Sequence, residues 1–289
     1  MKKFLLILIV MFAITGYNRA QTNSGHQSNP PDPVMVQSAI HPPNAPAAPG
    51  CRFLVLMDNL PWGGLTSVTD ILTAKGAFYD VANSSTFPGM NFSNYDVIII
   101  ESDQVISFHT AFQANFPKFV NFVTSGGSLE VHAATCGWNS PECGSVVLPG
   151  GVYTTSGQFD NYDVVVNPGN PIVAGVSSPF YGNYASHGYF NNLQPGTDII
   201  TAMQSTGLPT TIQYHYGAGL VTGTTCTYEW GYVYGQDAGI MLQNNLNYSC
   251  SHAQAAGVPT LSQWGLIIMG FLFLAIGTIV ILRWRGASA

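Results

Sequence analysis

The sequence predicts an α/β fold: a doubly wound domain with a mainly parallel sheet over Cys51–Cys250. An N-terminal signal helix and a C-terminal transmembrane helix flank it. Three observations carry this expectation. Apolar runs of strand length alternate with one-faced helical patterns from Arg52 to Ala133, the β-α-β order that builds a parallel sheet. The strand runs are continuously apolar rather than alternating, as strands covered by helices on both faces are. The chain has 289 residues. Once its two ends are set aside as addresses, about 200 residues remain, enough to bury a core without help from disulfides.

The first strand is Arg52–Met57, ended by Asp58-Asn59 and the Pro61-Trp62-Gly63-Gly64 turn. Leu65–Ala74 has helical spacing (Leu65, Val68, Ile71, Leu72), with Gly76 as its stop. Phe78–Val81 is a short strand and Tyr95–Ile100 a β-branched one. Phenylalanines at 108, 112, 116, 119 and 122 mark one face of a helix over Phe108–Val123, closed by Gly126-Gly127. Ser128–Ala133 is the next strand. Tyr162–Val166, Thr197–Ala202, Thr210–Tyr214 and Gly219–Thr225 read as further strands, partly antiparallel, before a last helix near Ala238–Tyr248. No repeat is evident, which removes solenoids and propellers.

Charge excludes one function class. Only 8% of residues are charged and the formal net charge is −6. Between Cys51 and Cys250 the only basic residues are Arg52, Lys75 and Lys118, against thirteen acidic ones. A phosphate backbone needs Lys and Arg to displace its counterions, so nucleic acid is excluded as a partner.

The ends carry localisation. Met1-Lys2-Lys3 followed by the apolar run Phe4–Ile14 reads as a secretory signal over residues 1–20, handed to the secretion translocon. Residues 21–50 hold seven prolines and almost no charge, a disordered linker. A second linker covers 251–257. Val258-Pro259-Thr260-Leu261-Ser262-Gln263-Trp264-Gly265 then precedes an apolar stretch, Leu266–Leu282, and Arg283-Trp284-Arg285 closes it. Seventeen helical residues rise about 25 Å, enough to cross a bacterial inner membrane with Trp264 and Trp284 at its borders and the arginines in the cytoplasm.

This tripartite segment, 258–289, resembles the IPTL-CTERM sorting signal of Gram-negative bacteria, with Val258 in place of the usual Ile. The resemblance implies processing at the Pro259-Thr260-Leu261…Trp264-Gly265 motif by an exosortase-type transpeptidase. The mature protein would then sit at the cell surface, in the outer envelope or in the medium. A permanent tail anchor is the other reading of the same hydrophobicity.

Inside the domain, Ser125-Gly-Gly-Ser-Leu-Glu-Val-His132-Ala-Ala-Thr-Cys136-Gly-Trp138 resembles the Gly-Gly…His-Ala strand and loop of ThuA-like proteins. These belong to the class I glutamine amidotransferase-like superfamily. Asn170-Pro171-Ile172-Val173-Ala174-Gly175 and Tyr216-Gly217-Ala218-Gly219-Leu220-Val221 resemble two further turns of that family. The resemblance implies a flavodoxin-like fold. It also singles out Cys136 as the position of an amidotransferase nucleophile, but Thr135 and Cys143 break the elbow pattern and no His-x-Glu pair follows.

Five cysteines leave one odd. Cys136 pairs with Cys143 across a short loop, or with Cys226. Cys51 and Cys250 are plausible partners because the first strand's start and the last helix's end share one edge of a doubly wound fold. Ligands of open α/β sheets bind beyond the carboxyl ends of the strands. Asp58, Glu101, Asp103 and His132 fall there, with His187 and Glu229 in later loops. They form either a cation site or ordinary caps and turns, the latter favoured because no metal spacing is present. No cofactor is expected, since neither Gly-x-Gly-x-x-Gly nor a Walker lysine occurs. Trp62, Trp138 and Trp230 with the loop tyrosines suit sugar stacking or a protein partner. The composite expectation is an exported, noncatalytic binding domain for polysaccharide or a surface protein. A hydrolase-like or metal-assisted enzyme, or a structural envelope protein, are the alternatives.

Overall fold

A computed structural model of the chain describes residues 50–140, 143–257, 265 and 267–276. The expected signal peptide, the expected first linker up to residue 49, Val258–Trp264, and Arg283 and Arg285 lie outside the described residues. Of the expected membrane span 266–282, only 267–276 is described, as helix with exposed apolar side chains. Among the described residues no helix is long and apolar enough to cross a membrane.

In chain order the strands are β1 (Arg52–Leu56), β2 (Phe78–Ala82), β3 (Val97–Ile100), β4 (Ser128–His132), β5 (Tyr153–Val165), β6 (Phe180–Asn191), β7 (Asp198–Met203), β8 (Pro209–Tyr216) and β9 (Gly219–Thr224). The helices are α1 (Ser67–Ala74), α2 (Ile106–Ala114), α3 (Phe116–Thr124), α4 (Tyr228–Val233) and α5 (Asp237–Gly257). One sheet of nine strands runs β2-β1-β3-β4-β9-β8-β7-β5-β6. Its first five strands are parallel, and every pairing from β9 outward to β6 is antiparallel. The sheet is therefore mixed rather than mainly parallel. The parallel half comes from the apolar runs, and β3 and β4 lie inside it.

Side-chain alternation splits each parallel strand between two cores. Leu54, Leu56, Ile98 and Ile100 pack under α2 and α3, with Phe108, Phe112 and Phe119. Phe53, Val55, Val97 and Ile99 pack under α1 and α5, with Ile71, Leu72, Met241 and Leu242. Covering both faces is what makes the strand sequences continuously apolar.

Three expectations need correction. The single helix over Phe108–Val123 is two helices that meet at Asn115. Pro117 has no N–H to give the turn before it and its ring crowds that turn, so the α2 ladder stops. The phenylalanine stripe survives the break, with Phe112 and Phe119 rings 4.7 Å apart. The span 251–257, read as a linker, continues α5 to Gly257, because Ser251–Ala256 contains no helix breaker. Finally, β5 begins at Tyr153 rather than near Tyr162, and β6 was not anticipated at all.

Cys51 and Cys250 form a disulfide, as do Cys136 and Cys143, and Cys226 is the free cysteine, buried. The reason given for the first bond is only partly right. β1 lies one strand in from the edge, and the shared feature is the amino end of the sheet. There α5 finishes beside β4, and Ser128 Oγ donates to the Ser249 carbonyl at 3.0 Å. Burial, then the neighbouring Asp163, pushes the Cys226 thiol up to about 12. Its S–H donates to Asp163 Oδ2 at 3.2 Å. Such a thiol is inert at neutral pH. Non-reducing peptide mapping should return two bonds, Cys51–Cys250 and Cys136–Cys143, with Cys226 alkylated only after unfolding. Several thiols reactive in native, unreduced protein would contradict this.

Candidate functional site

The parallel strands all end on the side where α4 begins, and that end is built around Glu229. Its Oε1 lies 2.7 Å from His132 Nδ1 and accepts the Ser102 N–H at 3.2 Å. Its Oε2 accepts Trp62 Nε1–H at 3.1 Å, and the Ser67 hydroxyl donates to its main-chain carbonyl at 2.7 Å. On the other side of His132, Nε2 lies 3.6 Å from Glu130 Oε2, which accepts from Asn245 Nδ2 at 2.8 Å. The side chains of His132, Glu130 and Glu229 are wholly buried.

Electrostatics set the protonation. Burial alone lowers the His132 pKa, but Glu229 and then Glu130 outweigh it and hold the ring up to about 10. His132 is therefore an imidazolium at neutral pH. Burial works against the Glu229 carboxylate too, but His132 draws its pKa below the ordinary value. Glu101 lacks a cation of its own. Burial first, and Glu229 second, push its carboxyl well above the usual range.

Of the residues singled out in the sequence, the fold couples His132, Glu101 and Glu229. It does not bring the others to them. The Asp58 carboxylate caps a turn, accepting from Ser84 N at 2.7 Å and Ser84 Oγ at 2.8 Å. The Asp103 carboxylate accepts main-chain N–H groups of Trp62, Asn139 and Ser140 at 3.0–3.2 Å, although burial still raises it to about 6. It fixes the loop that carries Cys136. Gly137 is required there, because a Cβ would overlap the Asp103 carboxylate and the Trp62 ring. Cys136 is held in its disulfide. Among the described residues no group of three or more His, Cys, Asp or Glu side chains is placed to hold a metal.

His187 and Glu229 lie on β6 and α4 rather than in loops. Glu130 escaped the sequence reading although its signal was present. Residues two apart on a strand share a face, so Leu129-Glu130-Val131-His132 puts a carboxylate beside the histidine.

Aromatic rings cover this end. Trp138 stacks on Trp230 at 5.7 Å, Trp230 on Tyr234 at 4.2 Å, and Trp62 meets Trp138 edge-on at 6.4 Å. A separate cavity of about 470 Å³ opens at the opposite, amino end, between Phe92, Tyr95, Lys118 and Gly127. Its Lys118 ammonium is already spent on the carbonyls of Pro88 and Met90, at 2.7 and 2.9 Å.

Residues 256–285 match the IPTL-CTERM motif. The chain is also similar to an uncharacterized protein of Clostridium acetobutylicum, 29% identical over 198 residues. That match takes in 68% of this chain but 20% of the relative, so the chain spans about a fifth of the relative's length. Among solved structures, a cytoplasmic protein of Salmonella typhimurium is similar at 14% identity and a TM-score of 0.43, over 68% of this chain and 98% of its own. A glutamine amidotransferase of Thermotoga maritima is similar at 9% identity and a TM-score of 0.41, over 72% and 90% of the two chains.

The buried triad yields a stability prediction. His132→Gln leaves Glu229 and Glu130 without their cation and should cost about 3–5 kcal/mol at pH 7 by urea denaturation. The raised folded pKa of His132 also fixes a pH dependence. Its contribution is complete below the ordinary 6.5 and is lost as pH rises through about 10. Wild-type stability should therefore fall between pH 7 and 10, and the variant should lack that alkaline limb.

Proposed function

We propose that this is an exported protein, sorted through its IPTL-CTERM motif to the envelope or cell surface, whose α/β domain binds a ligand rather than turning one over. The observation that carries the second half is the Cys136–Cys143 disulfide. It occupies the sulfur that nucleophilic chemistry at this loop would need as a thiolate, in a compartment where disulfides persist. Burial supports the same reading. His132 is locked between two glutamates with no exposed side-chain surface, so it can neither reach a substrate nor exchange protons with one.

Turnover is the test of the binding half. The full chain, unreduced, should show no hydrolysis of glutamine or of nitrophenyl esters, with or without iodoacetamide. Hydrolysis that Cys136→Ser abolishes would refute this reading.

The motif supports processing by an exosortase-type transpeptidase after passage through the secretion translocon, with the C-terminal helix as a membrane intermediate. Replacing Pro259 or Trp264 leaves the apolar run intact, so insertion should persist while processing stops and precursor accumulates in the inner membrane. Removing Arg283 and Arg285 should instead weaken retention of the C-terminus in the cytoplasm. Fractionation with the C-terminal mass of the recovered protein reads both effects. A mature protein still ending at Ala289 in a host with the cognate enzyme would leave only a tail anchor.

A further inference from the structure

We propose that His187 and the aromatic rings around it form a subsite for an uncharged saccharide, a reading that rests on the binding function above and names its ligand class. The His187 ring is surrounded by Trp62, Phe159 and Tyr184, with centroids at 4.9, 5.0 and 6.1 Å. Its Nδ1 lies 2.9 Å from the Thr135 carbonyl, which can only accept, so Nδ1 carries the proton. Nε2 is left as a lone-pair acceptor with no partner among the described residues, on a buried residue that is 7% exposed. Burial lowers its pKa to about 4, so the imidazole stays neutral and keeps that lone pair. Phe159 is 42% exposed and lies 5.2 Å from Tyr184, an apolar wall open to solvent beside a hydrogen-bond acceptor. Apolar faces for C–H surfaces and an acceptor for a hydroxyl are what a sugar ring asks of a protein.

Backbone strain points to the same place. Six non-glycine residues among those described adopt positive φ. Five of them, Trp62, Asp103, Cys136, Cys143 and Tyr184, belong to this ring cluster or to the loops beside it. Trp62, itself buried, and Tyr184 supply two of the three rings packed around His187. Left-handed aromatic residues are costly and persist where the surroundings over-determine them, which concentrates at ligand sites. Asp103 and the Cys136–Cys143 bond supply that determination, the former through the Trp62 N–H at 3.1 Å.

Charge selects a neutral sugar over an acidic one. The three basic side chains of the domain are all elsewhere. Arg52 opens β1 and pairs with Asp80, Lys75 caps the end of α1 before β2, and Lys118 is bound at the amino-end cavity. The strand ends instead hold the Asp58 and Asp103 carboxylates, and the nearby His132 imidazolium is already neutralised by Glu229, so none of these groups offers a cation to a uronate, sulfate or phosphate.

The test titrates the full chain, in detergent at pH 7, with cello-, malto- and laminarihexaose and with hexagalacturonate, following tryptophan fluorescence. At least one neutral hexaose should bind, and the galacturonate at least ten-fold more weakly. Phe159→Ala, at a solvent-exposed position, should lose at least ten-fold in affinity, and Phe159→Trp should restore it. His187→Ala should lose as much. Neutral binding that neither alanine variant alters would overturn the subsite while leaving a binding domain. Absence of binding by every neutral hexaose, or preference for the galacturonate, would overturn the saccharide assignment. Release of reducing ends from a bound hexaose would uphold the subsite and defeat the purely binding reading, so the two failures are distinguishable.

Discussion

The 2.7 Å contact between Glu229 and His132 joins parts of the chain that are 97 residues apart, and much of the functional end hangs from it. Through Glu229 the end of β4 is tied to the start of α4, to the loop after β3 by the Ser102 N–H, and to the loop after β1 by Trp62 Nε1. Three crossover connections therefore converge on one carboxylate. An unpaired charge so deeply buried would be prohibitive, and the pair exists only because each member holds the other ionised. The arrangement gives little net stability over an apolar core of equal volume, but it fixes where Trp62 must stand. Trp62 in turn packs against both Trp138 and His187.

This order of dependence separates structural from contacting residues. The groups best suited to chemistry, His132, Glu101 and Glu229, are buried as a foundation. The groups packed around that foundation are aromatic rings and the His187 imidazole, held neutral by burial. Such groups meet a ligand by shape and hydrogen bonding, which is the mode of action the proposed binding function assigns to them. A disulfide across Cys136 fits the same division, fixing a loop that in other settings could present a thiolate.

The parallel half of the sheet was legible because it is buried on both faces, and continuous runs such as Phe53–Leu56 and Val97–Ile100 have no other economical fold. The helix pattern over the phenylalanines was legible as a face but not as two pieces. Periodicity ignores Pro117, whose effect is on the backbone rather than on the stripe. β6 left almost no signal. Gly, Asn, Ser and Tyr alternate along it, and its burial owes more to folding back toward Cys226, through the bridge from Ser186, than to its own apolar content. The site was half legible. Acidic residues at strand ends drew attention to Glu101, Asp103 and His132. Only tertiary structure could show that Asp58 and Asp103 are spent on local N–H groups, and that His187 belongs with Trp62, 125 positions earlier.

The antiparallel half also explains how so sparsely charged a chain maintains a nine-stranded sheet. Its interior is hydroxyl-rich: Thr201, Thr210, Thr211 and Thr224 are all buried on β7, β8 and β9. Buried hydroxyls are costly unless paired. Here they pair across strands, Thr201 with Thr210 and Thr211 with Thr224, each at 2.9 Å. Gln213 reaches Thr222 at 3.0 Å in the same way. Cross-strand threonine pairs stabilise an antiparallel ladder without lengthening the apolar runs that mark a strand. The same ladder seats Cys226 and Asp163 in a polar interior, where the thiol stays protonated and out of reach of oxidants. The fifth cysteine is thus held apart from solvent in the folded domain, its sulfur beside the Thr201 and Thr211 hydroxyls and the Asp163 carboxylate.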